Sequence, residues 1–389
     1  MGKYLKYALM LLILLKMAGC KEPYEPSGIK GDTGYLVVDG MIVNGTDSTF
    51  ITLTRTTGWH DSTNIVYEQN ALVQVEGADK SIYQLTGKPN GVYTIGGLHL
   101  KSNVDYRLRI VTTNGNVYAS EYVPVLATPQ IDSVSWKQET NLLNENYKDL
   151  SIYVNTHDPD NKTRYYLWQY VETWKYHAAI QSKVMFYNYD IIKMTREDQD
   201  KMYYCWQSDS SKSILTDTSI KLAQDVIQMK QLTYVTGNSL KKSLVYSILV
   251  KQYAITQSAF EFYEIMKKNT EQTGSLFDPQ PSALKGNITN LTHPADPVIG
   301  YVSIATQAAK RIYINKDFFY NYPEDCVVQN LYEMDVSKIP YPQTYYPVDF
   351  IYDHGNNYVI GYIIAPSSCV NCEKNGGKNT KPYFWPADM

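Results

Sequence analysis

The sequence predicts a mainly β protein in two parts, and three observations carry that reading. Short alternating apolar and polar segments, separated by turn residues, run from Tyr35 to Val123; a proline-marked break follows at Val123 to Trp136; strand patterns then recur around one strong helical pattern. Composition agrees. Tyr numbers 36 in 389 residues against 9 Phe, and tyrosine, with an apolar body and a polar tip, suits half-solvated sheets. This length gives each of two domains ample core.

At the amino end, Lys3 and Lys6 precede an apolar run from Ala8 to Leu15, and Met17-Ala18-Gly19 leads to Cys20. A positive segment, a short apolar run and small residues form a secretory signal over 1–19, too short to span a bilayer. Cysteine at the first mature position resembles the lipobox of bacterial lipoproteins, which implies acyl chains on the Cys20 thiol and amino group and a membrane as partner. The competing reading is an ordinary signal peptide followed by an incidental cysteine. Residues 20–33, rich in Pro, Gly and charge, read as an extended tether. Lys21-Glu22 resembles the signal that exports some Bacteroidetes lipoproteins to the outer face of the outer membrane.

Seven strand-like segments fill 34–126: YLVVDGMIV, TFITLTRT, ALVQVEG, SIYQLT, GVYTI, VDYRLRIVTT and NVYASEYV. In the sixth, Tyr106, Leu108 and Ile110 share one face and Arg107 and Arg109 the other; Pro89-Asn90-Gly91 and Asn114-Gly115 are strong turn signals. Seven such strands with no helical period predict an immunoglobulin-like β-sandwich on architecture alone, without the Cys and Trp marks of antibody domains. A larger β-rich domain with one or two helices is expected over 127–389. Its first strand carries Ile131, Val134 and Trp136, and the next two form a hairpin about a turn at Asp158-Pro159-Asp160-Asn161. Further strands fall at LVYSILVKQYAI, GYVSIAT and KRIYI. Near 257–271, Ser258 and Glu261 have capping-box spacing, Ala259, Phe262, Tyr263 and Met266 share a face, and Lys267 and Lys268 suit the carboxyl end. Thr195 and Asp198 repeat the capping spacing for a shorter helix.

A net charge of -3 with scattered Lys and Arg offers no footprint for nucleic acid. Cys205, Cys326, Cys369 and Cys372 form an even set that predicts two disulfides in an exported chain, with three connectivities open; a four-cysteine zinc site is the rival. No nucleophile elbow, HExxH, phosphate loop or dinucleotide fingerprint occurs, so no catalytic residue, metal or cofactor is expected. His60-Asp61 and His157-Asp158 are loop polar neighbours, and Asp158 to Asn161 reads as a turn before it reads as a Ca²⁺ loop. Asn287-Ile288-Thr289 and Asn290-Leu291-Thr292 are sequons, which the lipobox argues against using. Binding residues are sought among aromatics. Trp168, Tyr170, Trp174 and Tyr176 share one strand face, core or platform, and Trp168 and Trp174 are taken from it. Tyr341, Tyr345 and Tyr346 fall in a three-proline stretch expected to be an exposed loop.

Three carboxyl-half landmarks, NTEQTGSLFDPQPSALKGNITN, GYVSIATQAAKRIYI and CVNCEKNGGKNTKPYFW, together with GCKEPYEP and YLVVDGMIV, resemble a family of Bacteroidetes lipoproteins known as a domain of unknown function, DUF4249. Members are often encoded beside TonB-dependent outer-membrane receptors, which implies capture or uptake at the cell surface; the abundant tyrosines suggest a small ligand, a sugar or a peptide. The family supplies no assigned activity. A structural or adhesive surface lipoprotein, and an unrecognised hydrolase, are the alternatives. Leu276, Phe277 and Leu284 in the loop 274–290 are read as pegs that seal a core.

Overall fold

The computed structural model describes residues 34–58, 64–188, 190–271, 284–315, 318, 320–339, 344–353, 355 and 358–389. At 48% strand and 11% helix it is mainly β, as the alternating segments predict. No helix among the described residues is long and apolar enough to cross a membrane.

Two sheets enclose the first core. One runs Val125–Leu126, Ile304–Thr306, Leu36–Asn44, Ser48–Arg55, Val92–Gly96, Thr86–Lys88; the other runs Ile288–Asn290, Val117–Ser120, Tyr106–Val111, Leu72–Gly77, Ile82–Gln84. Alternation places Leu36, Val38, Ile51, Leu53, Val73, Val75, Tyr106, Leu108 and Ile110 inside, between the sheets. The outward Arg107 and Arg109 reach Glu76 on the neighbouring strand, at 2.8 and 3.6 Å. A boundary at 126 does not close this core. Ile288, Val298, Val302 and Ile304 belong to it, and Ile304–Thr306 runs parallel between Leu36–Asn44 and Val125–Leu126. Such pairing is invisible locally, because a strand's partner is set by long-range packing rather than by its own alternation.

Gly40 breaks the alternation of the first strand. Its φ is +135°, and a Cβ there would stand 2.3 Å from the Phe50 carbonyl oxygen, so only glycine fits. Beyond it Met41 and Val43 turn away from the first core to pack with Leu167, Tyr253, Ile255 and Ala259. That second cluster joins the two halves of the molecule. Ala259 belongs to helix Gln257–Glu271, which lies where the 257–271 pattern predicts it. Its cap differs from the expected one: Thr256, not Ser258, accepts from the Ala259 N–H at 3.2 Å, while the Ser258 hydroxyl meets that of Tyr301. The shorter helix Arg196–Tyr203 begins as read, with Thr195 accepting from Asp198 N.

The second core lies between a three-stranded sheet (Ile131–Thr140, Lys148–His157, Val226–Val235) and a five-stranded one (Tyr204–Ser210, Tyr165–His177, Val245–Ala254, Ala308–Ile314, with Leu215–Thr218 beside Tyr165–His177). The expected hairpin about Asp158 is therefore not a hairpin. Its two strands belong to opposite sheets, and the turn carries the chain across the core. Asp158 builds that turn by accepting from the N–H groups of Asp160, Lys162 and Thr163 at 2.7 to 3.0 Å. Burial resists ionisation of Asp158, but these N–H groups outweigh it and hold the carboxyl below its usual range. His157 turns instead to Asp132, at 2.8 Å on the surface.

A third, smaller sheet of Gln329–Leu331, Val359–Pro366 and Tyr345–Tyr352 packs with the hairpin Val184–Tyr187/Asp190–Lys193. Tyr345 and Tyr346 are in this sheet rather than on a loop. Tyr345–Tyr352 is an edge strand with a register irregularity between Pro347 and Asp349, the setting in which a strand tolerates proline.

At the tip between Ile131–Thr140 and Lys148–His157, Leu142 and Leu143 are 100% and 95% exposed. The loop is nonetheless built. Asn141 accepts from the N–H groups of Leu143 and Asn144 and donates 2.9 Å bonds to both oxygens of Asp149, which also accepts from Gly237 N and Tyr234. Burial resists ionisation of Asp149, but donation from Tyr234, Asn141 and Gly237 outweighs it and lowers its pKa. A depressed carboxyl stabilises the fold above its unfolded value of about 3.9 and loses that contribution as pH falls through the folded value. In urea titrations at neutral pH, Asp149→Asn should cost about 2 kcal/mol, because an amide donor then faces these donors. The gap to wild type should narrow below about pH 4; parallel acid limbs would refute the assignment.

Candidate functional site

At one end of the first pair of sheets, two turns and the chain entering at Gly34 enclose a cleft of about 370 Å³. Asn114-Gly115 forms the first turn, with Gly115 at φ +85° and the Asn114 oxygen accepting from Thr112 Oγ1 at 2.6 Å and from Asn116 N. The second follows Ile288–Asn290. Asn290 Oδ1 accepts from the N–H groups of Thr292 and His293, both at 3.0 Å, and Thr292 Oγ1 accepts from Val117 N at 2.9 Å, stapling one turn to the other. Residues read as a sequon are thus used to build a loop.

Arg55 forms the floor. Its Nε and Nη2 donate to Glu68 at 2.7 and 2.6 Å, and Nη1 donates to Gly34 O and to Tyr118 Oη. Burial opposes its charge, but the contacts with Tyr118 and Glu68 prevail and raise its pKa. The guanidinium charge is matched by Glu68, leaving Asn114, Asn116, Asn290 and Asp296 to face the space. Among the described residues, the Nδ2 groups of these three asparagines and the Asp296 carboxylate have no partner. A larger groove of about 850 Å³ between Gln69–Ala71 and Gln84–Pro89 is lined by Gln69, Asn70, Gln84, Leu85, Thr86, Lys88, Pro89 and Tyr93.

Among the described residues, the aromatic side chains singled out from sequence fall in separate clusters rather than one site. Trp168 and Trp174 share a face with Tyr170 and Tyr176 as the even spacing predicts, but the face is core: Trp168 is 1% and Trp174 5% exposed. Trp168 Nε1 donates to Gln252 Oε1 at 2.9 Å, and Lys241 Nζ lies over the Trp174 ring. Their platform role is withdrawn because alternation fixes which residues share a face and not whether another sheet covers it. Tyr346 is buried against Phe186, and Tyr345 is half-buried with its hydroxyl 3.5 Å from Gln329 Nε2. Cys20, the tether, Tyr341, His60, Leu276 and Phe277 lie outside the described residues. The cysteines pair as Cys205–Cys372 and Cys326–Cys369. This replaces the zinc alternative, since bonded sulfurs are not thiolate ligands; the same holds for Asp325 beside Cys326 and Cys369. The cleft was missed as a site because asparagines in turns read first as turn-formers; its signals were Asn114-Gly115 and Asn290-Leu291-Thr292.

Fold and cleft together define a mainly β, twice disulfide-bonded protein with a polar recess built from amide side chains. Residues 21–311 match the family model described as Domain of unknown function (DUF4249), and the chain belongs to that family. The match includes the cleft and ends before the segment that supplies Cys326, Cys369 and Cys372. No curated protein matches the chain.

Proposed function

We propose that the protein is an outer-membrane lipoprotein, held at the cell surface by acyl chains on Cys20, that captures a small ligand for a TonB-dependent receptor without transforming it. The observation that carries this reading is the lipobox-like run ending at Cys20, joined to a chain whose other four cysteines are oxidised in pairs. Both features belong to an exported protein. Its DUF4249 membership supports the same setting. We read the first pair of sheets as an immunoglobulin-like sandwich that carries the cleft. Amide groups, which bind without moving protons, support capture over catalysis.

The test is a pull-down of carboxyl-tagged full-length protein from its native envelope in detergent, with mass spectrometry and a Cys20→Ser control. Recovery of a TonB-dependent receptor, lost in the control, is the expected result. Absence of any receptor, under conditions that keep other envelope complexes intact, would overturn the uptake reading. An adhesive role is the second reading, favoured by the built hairpin tip that holds Leu142 and Leu143 in solvent.

A further inference from the structure

We infer that the cleft beside Arg55 binds an uncharged, hydroxyl-rich ligand, a saccharide of one or two rings, and that Asn290 commits it to that chemistry. Asn290 is 1% exposed, and two backbone N–H groups fix its Oδ1. Turning the amide over would set its NH₂ against both of those donors, so Nδ2 is the group left to face the cleft. A donor that opens on a cleft and has no partner among the described residues is completed by water or by a ligand atom. Asn114 and Asn116 add two more open amides around the same space, and Asp296 adds an acceptor.

Charge then selects the ligand class. Arg55 is held by Glu68, Tyr118 and Gly34, so among the described residues the one uncommitted charge in the lining is that of Asp296, which repels anions. An ammonium would find one charged acceptor there, Asp296, and would face the inward amide donors, which it cannot satisfy. A hydroxyl both donates and accepts, so a neutral polyol can satisfy the amide donors and the Asp296 carboxylate together. The volume of about 370 Å³ lies at the small end of ligand sites, which suits one or two sugar rings.

This inference names the ligand class for the proposed capture role and rests on that reading only in taking the protein to be a binder. The experiment is calorimetric titration of detergent-solubilised full-length protein with methyl glycosides and neutral disaccharides, with glucuronate, glucosamine and diglycine as comparison ligands. Saturable binding of at least one neutral saccharide is expected. Asn290→Asp keeps an oxygen for both backbone donors and replaces the inward donor with an acceptor, so it should weaken binding roughly 10-fold or more. Its melting temperature is read alongside, so that binding is compared on folded protein. Failure of every neutral saccharide at about 50 mM, tighter binding of glucuronate, glucosamine or diglycine, or undiminished binding by Asn290→Asp would each overturn the inference. No receptor takes part, so saccharide binding with a failed pull-down would sink the uptake reading alone.

Discussion

Lys241→Met should destabilise the protein by about 3 kcal/mol, although it alters one lysine near the surface. The cause is Glu172, whose side chain is 3% exposed on the inward face of Tyr165–His177. One carboxylate oxygen accepts from Lys241 Nζ and the other from Tyr246 Oη. Burial, followed by the neighbouring Glu172, holds the Tyr246 pKa well above its ordinary value, so the phenol remains a donor. Removing Lys241 leaves a carboxylate in the core with one neutral partner. Replacing Glu172, Lys241 and Tyr246 together by Leu, Met and Phe should recover most of the loss, because no buried charge remains. Guanidinium denaturation of the three proteins measures this, and a loss below about 1 kcal/mol for Lys241→Met would show that Glu172 is not held as an ion by that lysine.

The second large effect belongs to Cys205–Cys372. Both residues are fully buried in the second core, and the bond spans 167 residues of chain. Loop-closure entropy for such a span is worth about 5 kcal/mol in the unfolded chain, against about 4 for the 43-residue span of Cys326–Cys369. The fold gives the first bond more to hold. Tyr176 donates to the Cys372 carbonyl at 2.7 Å, and Trp206 and Lys378 form a bridge that brings the carboxyl-terminal segment onto the five-stranded sheet. Trp385 then sits buried with Trp206 and Tyr313 at ring distances of 6.4 and 5.5 Å. Cys205→Ala/Cys372→Ala should therefore lose more stability than Cys326→Ala/Cys369→Ala and should expose the carboxyl-terminal segment to proteolysis. Limited digestion with denaturant titration reads both effects. Equal losses would mean that the longer span is already constrained in the unfolded chain.

The short segments between Tyr35 and Val123 could be read directly, since alternation and turn residues act over a few positions. Tyr106, Leu108 and Ile110 face inward as the two-residue period requires. The helix at Gln257–Glu271 was equally legible, although competing hydroxyls at Thr256 and Ser258 concealed its cap. Harder to see was the destination of each strand. Lys148–His157 and Tyr165–His177 follow one another through a good turn yet enter different sheets, and Ile304–Thr306 crosses 178 residues from Thr128 to lie beside the first strand. The aromatic face of Trp168 and Trp174 shows the same limit: its periodicity was correct, and its covering sheet was supplied by distant chain.

By itself the sequence determined the mainly β class, the turns, the two principal helices and the family, because each is written in neighbouring residues. Tertiary structure alone decided the cysteine pairing, the burial of the chosen aromatics and the meeting of Arg55, Asn114, Asn116, Asn290 and Asp296 around one cleft. Those facts depend on which surfaces cover one another, and covering is a property of packing between distant segments rather than of any local pattern.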